Sequence, residues 1–280
     1  MTANNHHLRT TRAARLTLIV CFFVWGTAGI AADIATPLER AHAHNDYLHE
    51  RPLLDALDHG FNSVEADIFL VGDRLLVAHD FDKIAPQRTL ETLYLDPLRR
   101  RAQKNGGRIH SGAAPFRLLI DIKSDARATY AALAKRLASY ADLVAHFDNG
   151  RFEPGAVEVV ISGNRAKDLI AGDSPRYAGI DGRLRDLGGE TPTHLMPLIS
   201  DNWKSHFRWN GKGAIPAEEE ERLRQFVQRT HQEGRQIRFW GTPDTSAMWK
   251  VLDDSGVDAI NTDDLAGLAS YLAGRPARSK

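Results

Sequence analysis

Cysteine is almost missing from this sequence. The one thiol, Cys21, falls within the first 32 residues, so the rest of the chain has no disulfide and draws its stability from a packed core. Net charge is missing as well: 36 Lys and Arg balance 36 Asp and Glu. With no positive stripe and no aromatics interleaved in one, a nucleic-acid groove is excluded. Beyond the first 32 residues there is no Pro/Ser-rich linker and no break in composition, which argues against two domains. What is present is 42% apolar and 26% charged residues in a chain of 280, enough to bury a core and coat a surface.

The first 32 residues differ from everything after them. Arg9, Arg12 and Arg15, with no acid among them, precede an apolar run over residues 16–25 and a small-residue stretch over 26–32. This order predicts a secretory signal peptide over residues 1–32, cut just after Ala31 or Ala32, and an exported (periplasmic or secreted) protein. The alternative is an N-terminal membrane anchor, for which the run is short of the about 20 residues a span needs. Leu18-Ile19-Val20-Cys21 is a poor lipoprotein box, because Val20 is bulky before the cysteine. Removing the segment leaves 33 basic against 36 acidic residues, a charge of −3.

From residue 33 to 280, apolar runs of strand length alternate with helical patterns. Strands are expected at 41–44, 64–70, 75–78, 116–122, 157–161, 177–180, 195–199, 237–240 and 259–261. Helices are expected at 52–59, 126 to about 147, 216–233, 246–252 and 265–272, with Gly60, Gly234 and Gly256 where helices end. Residues 81–115, with several Pro and Gly, read as a long loop carrying a short helix or two, of the kind that often forms a functional lid. Roughly eight β/α alternations predict an α/β chain folded as a single (β/α)8 TIM barrel over residues 33–280.

Strand alternation then sorts the polar residues. In such a barrel the outward face packs on helices, and inward residues at the carboxyl ends of the strands form the site. With Val64, Ala66 and Ile68 outward, Glu65 and Asp67 point inward; with Leu118, Ile120 and Ile122 outward, Asp121 and Lys123 do. By the same parity Arg238 and Trp240 face in, Asn261 follows outward Ile260, and His42 and His44 share a face. Three carboxylates aimed at one mouth repel unless a positive charge sits among them. A divalent metal with hard oxygen ligands, Mg(2+) or Ca(2+), removes that problem, and these donors suit it better than zinc. Lys123 is either a salt-bridge partner of the cluster or a phosphate-binding charge. A two-residue turn at Gly72-Asp73 sets His79 opposite Ala66 and a three-residue loop sets it opposite Asp67, so its face stays open.

Together these residues resemble a family. Ala43-His44-Asn45-Asp46-Tyr47, Val64-Glu65-Ala66-Asp67, Ala78-His79-Asp80, Leu119-Ile120-Asp121-Ile122-Lys123, Arg238-Phe239-Trp240 and Ile260-Asn261-Thr262-Asp263 occur in this order. That succession is similar to the glycerophosphodiester phosphodiesterase and phospholipase-C-like phosphodiesterase superfamily. The likeness spans nearly all of residues 38–272 and is nearest to the group that includes the fungal altered-inheritance-of-mitochondria protein.

The resemblance implies metal-dependent cleavage of a small-molecule or lipid phosphodiester, a glycerophosphodiester or a phospholipid headgroup. It implies His44 and His79 as the acid/base pair, Glu65, Asp67 and Asp121 as metal ligands, and Lys123, Trp240, Asn261 and Asn45 on the substrate. Asn45 and Asp46 stand where glycerophosphodiesterases carry Arg-Gly, and either orient His44, join the metal shell or turn the loop. Asp121 stands where those enzymes usually carry Glu, and this shorter acid, with Trp240, is similar to the sphingomyelinase D branch. The headgroup is therefore left open, as is a cyclic product. A peripheral membrane contact and a monomer are the accompanying expectations.

Two other readings use the same residues. His42-Ala43-His44 fits the His-x-His of metal-dependent amidohydrolases, yet that chemistry needs histidines on later strands. Strand four ends Ile161-Ser162-Gly163-Asn164, and His194 precedes its strand. A barrel that only binds a phosphodiester or lipid headgroup has no need of two proton-transfer groups. Trp203, His206, Phe207 and Trp209 fit a lipid-facing loop or core packing, Glu218 to Glu221 a charged helix start, and Arg165 a phosphate contact or plain surface.

Overall fold

Each apolar run that alternates with a helix finds a parallel neighbour. The computed structural model describes residues 37–112 and 114–275, with Met1 and Thr2; the segment read as an export signal lies, past those two residues, outside the described residues. In chain order the strands are β1 (Leu38–Ala43), β2 (Phe61–Val71), β3 (Arg74–Val77), β4 (Phe116–Ile122), β5 (His146–Asp148), β6 (Arg151–Glu153), β7 (Val157–Gly163), β8 (Gly179–Gly182), β9 (Leu198–Asn202), β10 (Gln236–Trp240) and β11 (Ala259–Thr262). Eight run parallel in the order β1-β2-β4-β7-β8-β9-β10-β11, and β11 returns to β1 with Ile260 beside Ala41. The expected (β/α)8 barrel is the observed architecture. β3 folds back antiparallel on the far end of β2, and β5 pairs with β6 in a separate hairpin.

The helices are α1 (Leu54–Asp58), α2 (Asp96–Lys104), α3 (Ala126–Ala138), α4 (Lys167–Gly172), α5 (Trp203–His206), α6 (Ala217–Gln232), α7 (Ser246–Ser255) and α8 (Leu265–Ala273). Among the described residues no helix is long and apolar enough to cross a membrane. The strand residues assigned outward by parity, from Val64, Ala66 and Ile68 to Phe239 and Ile260, are all buried in one cluster with helix residues such as Leu223, Val227, Leu268 and Leu272. Each large apolar side chain so covered is worth about 1.5–3 kcal/mol. Leu119, Val160 and Leu198 form a second, small apolar cluster. Each stands two residues before a polar one, Asp121, Ser162 or Ser200, so the opposite strand face turns from apolar to polar toward the carboxyl ends. The candidate site lies there.

Several boundaries move. The helix expected to about 147 ends at Ala138, because Asn149-Gly150, at φ +48° and +79°, makes a tight turn that pairs Phe147 with Phe152. β9 begins at Leu198 rather than 195, just after Pro197, which has no N–H to give a ladder. β8 likewise starts two residues late, at Gly179. The hairpin after β2 turns on two residues, with Val71 opposite Arg74. Trp203, Phe207 and Trp209 are core: the rings of Trp203 and Phe207 stack at 4.0 Å and Phe239 meets Trp203 edge-on at 5.7 Å.

Asp46 is neither a ligand in the metal shell nor a support for His44. It is buried and accepts hydrogen bonds from Leu53 N at 2.6 Å and Tyr94 Oη at 2.9 Å. Leu53 needs such a hold. It stands at φ 64°, ψ −48°, with Leu54 N donating to Pro52 O at 2.7 Å, a γ-turn that strains any residue but glycine.

Burial pushes the Asp46 carboxyl up to about 7. Between about pH 4 and pH 7 the folded chain then keeps a proton that the unfolded chain gives up, so stability falls as pH rises through that window. Asp46→Asn keeps an acceptor for both donors and removes the slope. Urea unfolding at about pH 4 and about pH 8 is expected to show the variant gaining on the order of 3–4 kcal/mol relative to wild type between the two.

Candidate active site

Glu65 is 5% exposed in the middle of β2 and is nonetheless ionised. Burial by itself raises its pKa, but the Arg238 guanidinium, with Nη2 2.7 Å from Oε2, and a hydrogen bond from His42 outweigh burial and hold the carboxyl below its usual range. Arg238 comes from β10 and its Nε donates to Asn261 Oδ1 of β11 at 2.8 Å. His42 Nδ1 lies 2.7 Å from Ser63 Oγ and Nε2 3.5 Å from Glu65 Oε2. Burial, with Arg238 adding to it, brings the His42 pKa down to about 3, so the ring is neutral and belongs to the packing under the site. Among the described residues the metal-competent group is three carboxylates without a histidine, which removes the amidohydrolase reading.

Asp67 is 1% exposed and crowded on one side. Its Oδ2 accepts from Tyr47 Oη at 2.7 Å, His79 Nδ1 at 3.0 Å and Lys123 Nζ at 3.1 Å, while Oδ1 is buried with no partner. Asp121 stands beside it in the β2–β4 register, with Oδ1 3.3 Å from the same Nζ. Burial, with Glu65 adding to it, raises Asp67 against the pull of Lys123. Burial likewise pushes Asp121 up to about 6. Burial lowers Lys123, but Asp121 and Asp67 outweigh it and the ammonium is kept.

One oxygen each from Glu65, Asp67 and Asp121 lie within 4.8 Å of one another. Hard oxygen donors, one of them buried and unsatisfied, whose charge burial disfavours, fit a divalent cation. In this structure Lys123 is the salt-bridge partner of the cluster.

Half-buried His44 and exposed His79 come from different loops, and of the two only His79 bonds directly to the cluster. His44, just past β1, has Nδ1 2.8 Å from Asp263 Oδ1 and 3.0 Å from Asn45 Nδ2. Burial lowers its pKa, but the Asp263 hydrogen bond and the Glu65 charge outweigh burial and the net shift is upward. His79 follows β3, whose ladder ends at Val77; the chain then turns the ring onto Asp67, which settles its face. The histidines share no hydrogen bond. They are joined through Asn45, whose Oδ1 is 2.7 Å from Tyr47 Oη, and Tyr47, whose Oη is 3.1 Å from His79 Nδ1. Burial and the Asp67 charge raise the Tyr47 pKa, so the phenol keeps its proton.

Of the remaining expected site residues, Trp240 is half-buried with the Arg183 guanidinium 4.8 Å over its ring. Asn261 is 4% exposed and engaged with Arg238. Arg238, Tyr47 and Asp263 take larger parts than parity gave them. Asp263 was open to the same rule, since it lies two residues beyond Asn261.

Comparison with known proteins decides the family. The AIM6-like phosphodiesterase domain matches residues 29–180, more than half the chain, and the glycerophosphoryl diester phosphodiesterase family matches residues 236–266. This chain belongs to the AIM6-like phosphodiesterase family. Altered inheritance of mitochondria protein 6 of Eremothecium gossypii is 32% identical over 270 residues, 84% of this chain and 69% of that protein. A homolog from Arthroderma benhamiae is 27% identical over 265 residues, 82% and 83% of the two chains.

Two solved structures share the fold. A calcium-dependent phosphoinositol-specific phospholipase C from a Pseudomonas species has a TM-score of 0.53 at 15% identity, over 84% of this chain and 93% of that one. A phosphodiesterase from Oleispira antarctica, solved with the product sn-glycerol-3-phosphate, has a TM-score of 0.51 at 15% identity, over 86% and 98%. Membership of the family makes the protein a hydrolase of phosphodiesters, and its acidic cluster suits metal-dependent chemistry of that kind.

Arg238→Met leaves Glu65 buried without its cation. Urea unfolding is expected to show a loss of about 3–5 kcal/mol, much of it regained in Arg238→Met/Glu65→Gln. Equal stability of Arg238→Met and wild type would show that the ion pair does not hold Glu65 in place.

Proposed function

We propose that this phosphodiesterase cleaves a glycerophosphodiester or a phospholipid-headgroup phosphodiester, with Mg(2+) or Ca(2+) held by Glu65, Asp67 and Asp121. The observation that carries the reading is the convergence of those carboxylates, with Asp67 Oδ1 buried and unpartnered, in a chain of a phosphodiesterase family. A divalent ion bound there supplies charge that neutralises a non-bridging phosphate oxygen. Lys123, whose ammonium lies 3.1 Å from Asp67, offers a second positive charge to the phosphate.

His44 and His79 move the protons in this proposal. Each has Nδ1 on a carboxylate, Asp263 or Asp67, which fixes ring and tautomer and leaves Nε2 for the substrate. His44, raised despite burial by Asp263 and Glu65, keeps its proton to higher pH and protonates the leaving alkoxide. His79 takes the proton from water or from a substrate hydroxyl next to the phosphate. Asn45 and Tyr47 hold the two rings relative to each other, Trp240 offers its face to the substrate, and Asn261 acts through Arg238.

Glycerophosphodiesters, phosphatidylinositol and sphingomyelin, each with Mg(2+), Ca(2+) or chelator, form the test. Metal-dependent release is expected, slowed about 10^2–10^4-fold in His44→Ala and in His79→Ala. Release that survives full chelation, or wild-type rates in both variants, would sink the mechanism. Tight binding without turnover would favour a barrel that only binds.

The order of residues 1–32 supports export of this activity. N-terminal sequencing of protein recovered outside the cytoplasm is expected to begin at Ala32 or Asp33. An intact Met1 on exported protein would favour the anchor instead.

A further inference from the structure

Gly163 closes β7 next to the acidic cluster, and the volume a side chain would take there is already filled. In the parallel register of β4 and β7 it pairs with Ile122, one step beyond the Asp121–Ser162 pair. An ideal Cβ on Gly163 would stand 2.1 Å from Asp121 Oδ1, 2.9 Å from Asp121 Cγ and 2.6 Å from Ile122 O, all closer than real Cβ contacts allow. Both neighbours are engaged elsewhere, the carboxylate less firmly than the backbone carbonyl. Asp121 Oδ1 is 3.3 Å from Lys123 Nζ, and Ile122 O accepts from Asn164 N at 2.9 Å.

The backbone conformation alone does not explain the residue. Gly163 has φ +65°, and Gly72 in the β2–β3 turn has φ +64°, yet a Cβ on Gly72 would meet nothing within 4 Å. Both positions favour glycine for the left-handed turn. Of the two, only Gly163 has a carboxylate where its side chain would be.

We infer that Gly163 is a positioning residue for the divalent-metal centre, glycine because the Asp121 carboxylate occupies the place of its Cβ. The inference rests on the reading of Asp121 as a ligand. A side chain at 163 swings the Asp121 carboxylate away from Glu65 and Asp67 and weakens metal binding through that displacement.

Isothermal titration of the full chain with Mg(2+) and with Ca(2+), beside thermal melts without metal, tests this. Gly163→Ala is expected to bind metal about 10–100-fold more weakly. Gly72→Ala, which shares the backbone strain without the collision, is expected to melt lower than wild type and bind metal as wild type does. Asp121→Ala is expected to bind weakly, with no further loss in Asp121→Ala/Gly163→Ala, because both changes disable one ligand.

Wild-type affinity in Gly163→Ala, or a further tenfold loss when it is added to Asp121→Ala, overturns the positioning role and leaves the metal reading standing. Wild-type affinity in Asp121→Ala overturns both, by removing Asp121 from the ligand set. Should Gly163→Ala fail to fold, the double variant decides. A restored cooperative melt places the collision on the Asp121 carboxylate and supports the role; continued failure places it on the Ile122 carbonyl and overturns it.

Discussion

Buried negative charge is the constraint around which the barrel mouth is arranged, and two cations divide it unequally. Arg238 faces Glu65 at 2.7 Å and keeps it ionised despite burial. Lys123 is shared between Asp67 and Asp121 and keeps neither low, since both remain raised by burial. Glu65 is thus a fixed anion whose charge belongs to the folded state, whereas Asp67 and Asp121 form a pair whose ionisation depends on how much positive charge stands near them. A divalent ion would favour their charged forms, so in the proposed metal site binding the ion and ionising the pair would be coupled. The Glu65 pair has a structural side too. It joins β2 to β10, and through Asn261 to β11, so strands that are not ladder neighbours of β2 are tied to it across the barrel mouth.

The histidines depend on that arrangement at one remove. Asp67 fixes His79 directly, and Tyr47 touches both of them while also meeting Asn45 beside His44. The loop that carries Tyr47 to Asp67 is pinned by its neighbour Asp46, through Leu53 N and Tyr94 Oη. A buried carboxyl and a strained γ-turn therefore lie behind the placement of a ring on the surface. Both costs sit outside the acidic cluster itself.

Strand parity made the barrel legible because it rests on one strong rule, that the face against the helices is apolar. The outward residues of β4 and β10 and the central ones of β2 and β11 obey it, with polar Asn62 and Thr262 at strand ends. The rule says which face a residue takes and nothing about which residue stands opposite. Arg238 and Glu65, 173 residues apart in the chain, could be assigned inward but not to each other. The face of His79 did not follow from turn length: the two-residue turn at Gly72-Asp73 would set it opposite outward Ala66, but the ladder ends at Val77 and the ring turns onto Asp67. The helix carried too far, to about 147, shows the opposite failing. Tyr140, Ala141 and Val144 continue a helical spacing, and the Asn149-Gly150 turn signal outweighs them. β8 and β9 were misjudged at their starts, where Gly179 and Pro197 interrupt the apolar runs.

The short acid at 121 and the bare backbone at 163 are best understood as one feature. Glutamate, the usual acid at this place in the glycerophosphodiesterases that the sequence resembles, would carry its carboxylate one methylene farther from β4. Aspartate keeps its oxygens close to its own strand, and the next strand, β7, passes so near that a Cβ at 163 would fall 2.1 Å from Oδ1. An Asp at 121 therefore adds its own demand for an unsubstituted neighbour at 163; a longer acid would lift that part and leave the demand made by the Ile122 carbonyl and the φ of +65°. The requirement acts across a parallel pair whose register, Asp121 with Ser162 and Ile122 with Gly163, is itself fixed by the apolar alternation of β4 and β7. Packing on the helix side of the barrel thus sets, through register, where the third carboxylate of the cluster can stand.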